Sequence, residues 1–172
     1  EMLELNRMAF DNYLPKYSES RCISIAMKLI KKNASHIKWI LSFSDANLCG
    51  DGTIYRASGF KLIGINKNTS TYLMPNGDVM CSLTASAHKT KESNGKSGVG
   101  WIKENGGKKL QGFQIRYIYL IDKKCKLTLP EIPFSEIDKK GAGMYKGKKI
   151  TLQERRALSD EVDSNANSKQ EA

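Results

Sequence analysis

The stretches LELNRMAF (residues 3–10), DNYLPKYSES (11–20), RCISIAMKLIKKN (21–33) and SDANLCGDGTIYRASGFKLIG (44–64), with an apolar run at 37–43, decide the fold. Leu3, Leu5 and Arg7 alternate with Glu4, Asn6 and Met8, which predicts a strand over 3–10. Pro15 holds Leu14 in extended geometry, so 11–17 reads as loop. Ser18 is a plausible N-cap, and Cys22, Ile25, Ala26, Leu29 and Ile30 recur at helical spacing on one face. The near-continuous apolar run at 37–43 predicts a central strand buried on both faces. A loop, a short helix and a strand at 60–64 complete a βαβαβ order, which predicts an α/β mixed sheet with helices on both faces.

Two places in this order suit chemistry. The first turn of the helix offers unpaired backbone N–H groups and the positive end of the helix dipole, a setting for a phosphate or pyrophosphate. Lys16 and Arg21 flank it, while Lys28, Lys31 and Lys32 read as a solvated face. The plainer reading of the same residues is a capped surface helix. Asp45 falls just past the C-terminal end of the central strand, where open α/β sheets place their ligands, and is the best acid/base candidate. Its plainer reading is a turn aspartate bonded to its own backbone.

The order LELNRMAF, helix loop, apolar strand and IYRASGFKLIG resembles the core of the GNAT acyltransferases, with Ile54, Tyr55, Gly59 and Phe60 in place of that superfamily's LY-x-x-x-GF segment. More narrowly, LPKYSESR (14–21), SDANLCGDGTIYRASGF and RYIYLID (116–122) resemble the Mom family, phage-borne GNAT-like proteins that convert the N6 amine of adenine in DNA to a carbamoylmethyl form. The likeness covers residues 3–64 well and 113–134 loosely. It implies that Tyr17, Ser18, Glu19, Ser20 and Arg21 bind acetyl-CoA or a related acyl donor. It also places Asp45, Ser20 and Tyr55 near the reacting end. A tyrosine at the position of Tyr55 often serves as general acid in GNAT folds, and a half-buried core tyrosine is the other reading. The loop departs from the usual GNAT glycine pattern, with Ser-Glu-Ser instead, which favours the Mom family over an ordinary acetyltransferase. Cys49 and Gly50 stand where relatives often carry Gly-His, so no histidine role is carried over. The likeness also implies iron, but no His/carboxylate cluster with metal spacing identifies ligands.

The chain has 172 residues, enough for one domain with a real core. It starts at Glu1, almost on a predicted core strand, whereas GNAT domains carry several strands and a helix pair, and Mom relatives a His-Tyr pair, before this point. The resemblance therefore implies N-terminal strands outside this chain and an open sheet edge beside 3–10. Lys plus Arg number 28 against 18 Asp plus Glu; residues 1–150 hold 25 and 13 of these and so carry +12. That surplus suits an anionic partner, double-stranded DNA first, although a basic protein with no such partner fits too. No apolar run approaches a membrane span. Cys22, Cys49, Cys81 and Cys125 show no C-x-x-C spacing and read as reduced thiols of a cytoplasmic protein.

Further along, Pro-Asn-Gly-Asp between two apolar runs predicts a β-hairpin over 71–83. Residues 84–112 are rich in Gly, Ser and Lys. Lys89, Lys91, Lys96, Lys108 and Lys109, with Trp101, predict a mobile loop lying along DNA phosphates, or a merely solvated loop. Gly95-Lys96-Ser97 lacks the earlier glycine of a P-loop. Residues 113–121 read as the best strand beyond the core stretch 3–64, with Arg116 on a face otherwise rich in aromatics. The domain order expected is a GNAT-like catalytic domain over 1–134, a basic extension over 135–153 and a disordered tail over 154–172. The favoured function is Mom-type DNA adenine modification that masks phage or mobile-element DNA from restriction. An ordinary GNAT N-acetyltransferase and an inert nucleic-acid-binding remnant are the alternatives.

Overall fold

In a computed structural model, the strand that organises the sheet lies far along the chain from the βαβαβ run. The structure describes residues 1–6, 8–11, 13–46, 50–87, 98–110, 112–145, 148–149 and 154. The elements are β1 (Met2–Leu5), α1 (Ser18–Asn33), β2 (Trp39–Asp45), α2 (Thr53–Ala57), β3 (Lys61–Asn68), β4 (Thr71–Leu73), β5 (Val79–Cys81), α3 (Ser82–Ala87), α4 (Val99–Glu104), β6 (Lys108–Lys109), β7 (Gly112–Leu120), α5 (Ser135–Lys139), β8 (Met144–Tyr145) and β9 (Lys148–Lys149). The main sheet has the order β1-β2-β7-β3. β1 runs parallel to β2, and β7 is antiparallel to both β2 and β3. The βαβαβ order is thus present in sequence, but β7 separates β2 from β3. β7 is thus an inner strand of the sheet, and its Ile115 and Tyr117 are fully buried.

The core lies on one face of the sheet. Ile40 of β2, Leu62 and Ile65 of β3 and Ile115 and Tyr117 of β7 pack with Ile23 and Met27 of α1 and Ile137 of α5. Ile54 and Tyr55 of α2 join as partly buried neighbours. Burying a side chain the size of Ile23 or Met27 stabilises by about 1.5–3 kcal/mol. Of the expected face, Ile30 packs against the core, whereas Cys22, Ile25, Ala26 and Leu29 are exposed. Ile23, Met27 and Ile30, spaced i, i+4 and i+7, meet the sheet, while Cys22 is exposed and Ile25 and Leu29 remain 51% and 53% exposed. The helix holds two apolar rows at helical spacing, and contact with the sheet selects the row containing Met27.

Other expectations change as well. α1 starts at Ser18, so Ser18 lies inside the helix and is not its cap; Tyr17 is the N-cap, in left-handed geometry at φ 71°. β1 stops at Leu5 rather than Phe10, where its register with β2 ends at Leu5↔Ser42 and Ser42 Oγ donates to Leu5 O at 2.9 Å. β2 is not buried on both faces: Ile40, Ser42 and Ser44 are buried, while Trp39, Leu41, Phe43 and Asp45 alternate with them as half-buried residues. Helices on both faces are not seen among the described residues, because α1, α2 and α5 all join the one core and the opposite face is lined by residues 125–129 without a helix. Arg116 does not share its strand face with aromatics; Gln114, Ile118 and Leu120 do, and Tyr117 and Tyr119 project into the core face.

Residues 69–111 interrupt what the pairing of Asn68 with Gly112 would otherwise close as a hairpin. The predicted turn is present, with Gly77 at φ 89° and Asp78 N donating to Asn76 Oδ1, but the second strand ends at Cys81 and α3 begins at Ser82. β5-β4-β6 form a second sheet, and Tyr72, Met74, Ala85 and Ile102 form a second core with Trp101 against it. The expected mobile loop over 84–112 is therefore largely folded where it is described. Trp101 sits in α4 and packs, and Lys108 and Lys109 form exposed β6; Lys89, Lys91 and Lys96 lie outside the described residues. The expected basic extension is described only in part, and the tail only at Glu154.

One packing contact invites a direct test. Gly52 sits at φ 76°, and a Cβ there would lie 2.5 Å from Tyr117 Cε2. Gly52→Ala combines left-handed strain with overpacking of a buried ring, so urea unfolding is expected to show a loss of about 1–3 kcal/mol.

Candidate active site

Two grooves mark this domain, one at the start of α1 and one on the sheet face opposite the core, toward the N-terminal half of β2. The first lies at the start of α1, against the end of α2. It has a volume of ≈ 420 Å³ and is lined by Tyr17, Ser20, Arg21, Ser24, Ile25, Lys28, Ala57 and Ser58. Local bonds shape this helix start: Ser18 N and Oγ both approach Pro15 O, at 3.2 and 2.6 Å, and Ser20 Oγ donates to Tyr17 O at 3.1 Å. Arg21 N donates to Tyr17 O at 3.0 Å, which leaves the Glu19 and Ser20 amides as the open donors of the first turn among the described residues. Those donors, the helix dipole and the cations of Arg21 and Lys28 suit a pyrophosphate. Lys28, expected on a solvated face, belongs to this lining. Glu19 sits in the same turn without lining the groove, and Tyr17 is 69% exposed with Lys16 Nζ 5.9 Å from its ring centroid.

The loop after β2 is built around a carboxylate that sequence reasoning passed over. Asp51 is 4% exposed, and its Oδ1 accepts from Thr53 N at 3.0 Å and Thr53 Oγ1 at 2.7 Å. Its Oδ2 lies 3.5 Å from Arg56 Nη1, and the Arg56 guanidinium stands 4.4 Å over the Phe134 ring. The Asp51 carbonyl accepts a hydrogen bond from the Tyr117 hydroxyl, and Ser44 Oγ donates to Gly50 O at 2.7 Å. Asp-x-Thr at a helix start was the available signal, as a side chain two residues ahead of the amide it bonds. Tyr55 rests against Tyr117 with centroids 5.4 Å apart and against Phe60 at 5.5 Å.

The second groove lies on the opposite face of the sheet. It encloses ≈ 430 Å³ between Trp39, Leu41, Ile63, Arg116, Ile118 and Leu120 of the sheet and residues 125–129. A register shift between Leu62 and Gly64 brings Leu62 and Ile65, three residues apart, into the same core, while Ile63 faces the groove. Arg116 stands between Phe43 on β2, its guanidinium 5.5 Å from the ring, and Gly64 on β3, which has no side chain to crowd it. Its Nε is buried and has no hydrogen-bond partner among the described residues. A buried donor left so costs about 1–3 kcal/mol. Asp122 opens the segment that borders this groove. Its carboxyl is held below the usual range by the Lys124 backbone N–H first and by Lys38, whose Nζ lies 3.3 Å away.

The structure does not gather Asp45, Ser20 and Tyr55 into one described contact. Ser20 lines the α1 groove, Tyr55 packs in the core, and Asp45, last residue of β2 and paired with Gln114, lies on the Arg116 face of the strand. Among the described residues no group of three His, Cys, Asp or Glu side chains could hold a metal, so no iron ligands are assigned. Nor is any helix among them long and apolar enough to cross a membrane. Cys22, Cys81 and Cys125 are free thiols.

The model of the Mom protein family matches residues 1–136. The chain belongs to the Mom protein family. The methylcarbamoylase Mom of Escherichia phage Mu is 33% identical to it over 129 residues, which cover 74% of this chain and 51% of that protein. The chain thus spans about half the length of this curated relative. The Mom match takes in both grooves and ends within α5. Within this Mom domain Asp51 has a structural part that can be measured. Asp51→Ala strips Thr53 of its acceptor and Arg56 of its counter-ion, and chemical denaturation is expected to show a loss of about 1–3 kcal/mol.

Proposed function

We propose that this chain is the donor-binding and acid/base part of a Mom-type transferase that places a carbamoylmethyl group on the N6 amine of adenine in phage or mobile-element DNA. The supporting observation is the α1 groove: a helix start with open amides, flanked by Arg21 and Lys28, inside a domain that matches the Mom family. Ser20, Arg21 and Lys28 would hold the pyrophosphate of acetyl-CoA or a related acyl donor. Tyr17, the N-cap, and the Ser18–Glu19 turn set the direction of the amides. Arg21→Glu with Lys28→Glu is expected to weaken CoA binding by roughly tenfold or more while leaving the fold intact.

For N6 to gain a substituent, one of its protons has to leave. Asp45 at the end of β2 is the candidate to take it, and Tyr55 is the candidate acid on the other side of the strand. DNA is the substrate in this reading. Its phosphates would meet cations such as Lys108 and Lys109, and the adenine would be extruded from the duplex to reach a site at the sheet. A DNA substrate of this origin places the protein in the bacterial cytoplasm. No step is assigned to iron.

Nucleoside mass spectrometry on plasmid DNA from cells expressing the gene tests this reading. A heavier deoxyadenosine is expected with the wild type and not with Asp45→Ala. Unmodified adenine beside retained acetyl-CoA binding would instead indicate an ordinary acetyltransferase.

A further inference from the structure

Among the described residues, Tyr17 is the one non-glycine with a positive φ, at 71°. Glycine enters that region without steric cost, whereas a bulky side chain there is strained. The start of α2 needs the same left-handed geometry, and there the chain places Gly52. Tyrosine is therefore not what the turn before α1 asks for. Nor does packing favour it, because the ring is 69% exposed and belongs to neither hydrophobic core. Lys16 Nζ stands over the ring at 5.9 Å from its centroid, but a cation–π contact in solvent is weaker than the strain. Strain kept where the fold does not reward it points to a contact made outside the fold.

The α1 groove shows what that contact is with. Tyr17 lines it together with the cations Arg21 and Lys28 and the apolar Ile25 and Ala57, and no carboxylate is in the lining. An exposed ring beside two cations and a helix start complements a molecule that joins a flat π-system to phosphates, which is a nucleotide. A phosphopantetheine arm on a carrier protein has the phosphate but no base, and would leave the ring idle. We infer that Tyr17 is the stacking surface for the base of the donor, so that the donor is nucleotide-linked. The inference rests on the donor reading of this groove and adds to it the class of donor and the residue that selects it. Ser20, on the phosphate side, is three residues from Tyr17, so base and phosphate sites lie within one helical turn. Tyr17 is a specificity residue here: it meets the donor away from the transferred group and takes no part in proton transfer.

Calorimetric titration of the wild type, Tyr17→Gly and Tyr17→Phe with coenzyme A, 4′-phosphopantetheine and inorganic pyrophosphate tests this. Coenzyme A is expected to bind Tyr17→Gly roughly fivefold or more weakly and Tyr17→Phe as it binds the wild type. Phosphopantetheine and pyrophosphate, which have no base, are expected to bind all three proteins alike. Tyr17→Gly relieves the left-handed strain and is expected to melt near or above the wild type, so weaker binding is not loss of fold. Where it does not fold, Tyr17→Asn, which also tolerates this geometry, takes its place. Equal loss for pyrophosphate overturns the inference, because Tyr17 would then act through the helix amides. Equal loss in Tyr17→Phe overturns it as well, since the hydroxyl and not the ring face would carry the contact. A Tyr17→Gly that keeps its coenzyme A affinity but loses binding to a DNA duplex overturns it by assigning the ring to the acceptor. Coenzyme A binding of one strength in all three proteins leaves the donor reading intact and removes this inference alone. A wild type that binds no coenzyme A removes both.

Discussion

The hydrogen bond from the Tyr117 hydroxyl to the Asp51 carbonyl ties the whole arrangement together. It joins the central antiparallel strand to the loop that follows the parallel one, and it can form only because Gly52 leaves room for the ring. From that point Asp51 reaches forward to Thr53 and Arg56, so α2 has a fixed start, and Arg56 reaches on to Phe134. Tyr55, brought round by α2, packs on the same Tyr117 ring. A single buried tyrosine thereby sets the end of β2, the helix after it and the contact with the region before α5. Buried polar groups so completely engaged act as fixed points, since releasing any one leaves a partner unsatisfied.

Much of this was legible in the sequence. The run from Ser18 to Asn33 reads as a helix, the stretch around Ile40 as an inner strand, and Pro75 to Asp78 as a hairpin turn, because each is signalled by neighbours within a few residues. What stayed hidden depends on partners far along the chain. Nothing local in residues 112–120 says that this strand inserts between β2 and β3. The choice between the Met27 row and the Leu29 row of α1 is likewise made by the sheet, not by the helix. Trp101 looked like an exposed aromatic in a basic loop, and only the second small core, with Tyr72 and Ile102, gives it a place.

The candidate site divides along the same line. Arg21 and Ser20 were readable because a helix start advertises its open amides, and Asp45 because strand ends collect ligands in α/β folds. Arg116 and Asp51 were not singled out as site residues, since their significance comes from what surrounds them: a ring and a bare backbone for one, a threonine amide and an arginine for the other. The structure adds the second groove, on the other face of the sheet.

The central claim is that the start of α1 is where this Mom domain holds its donor. Amide chemical-shift mapping with coenzyme A tests this most directly. The account predicts that coenzyme A perturbs Ser20, Arg21 and Ser24. Perturbation confined to residues away from the start of α1 would contradict it.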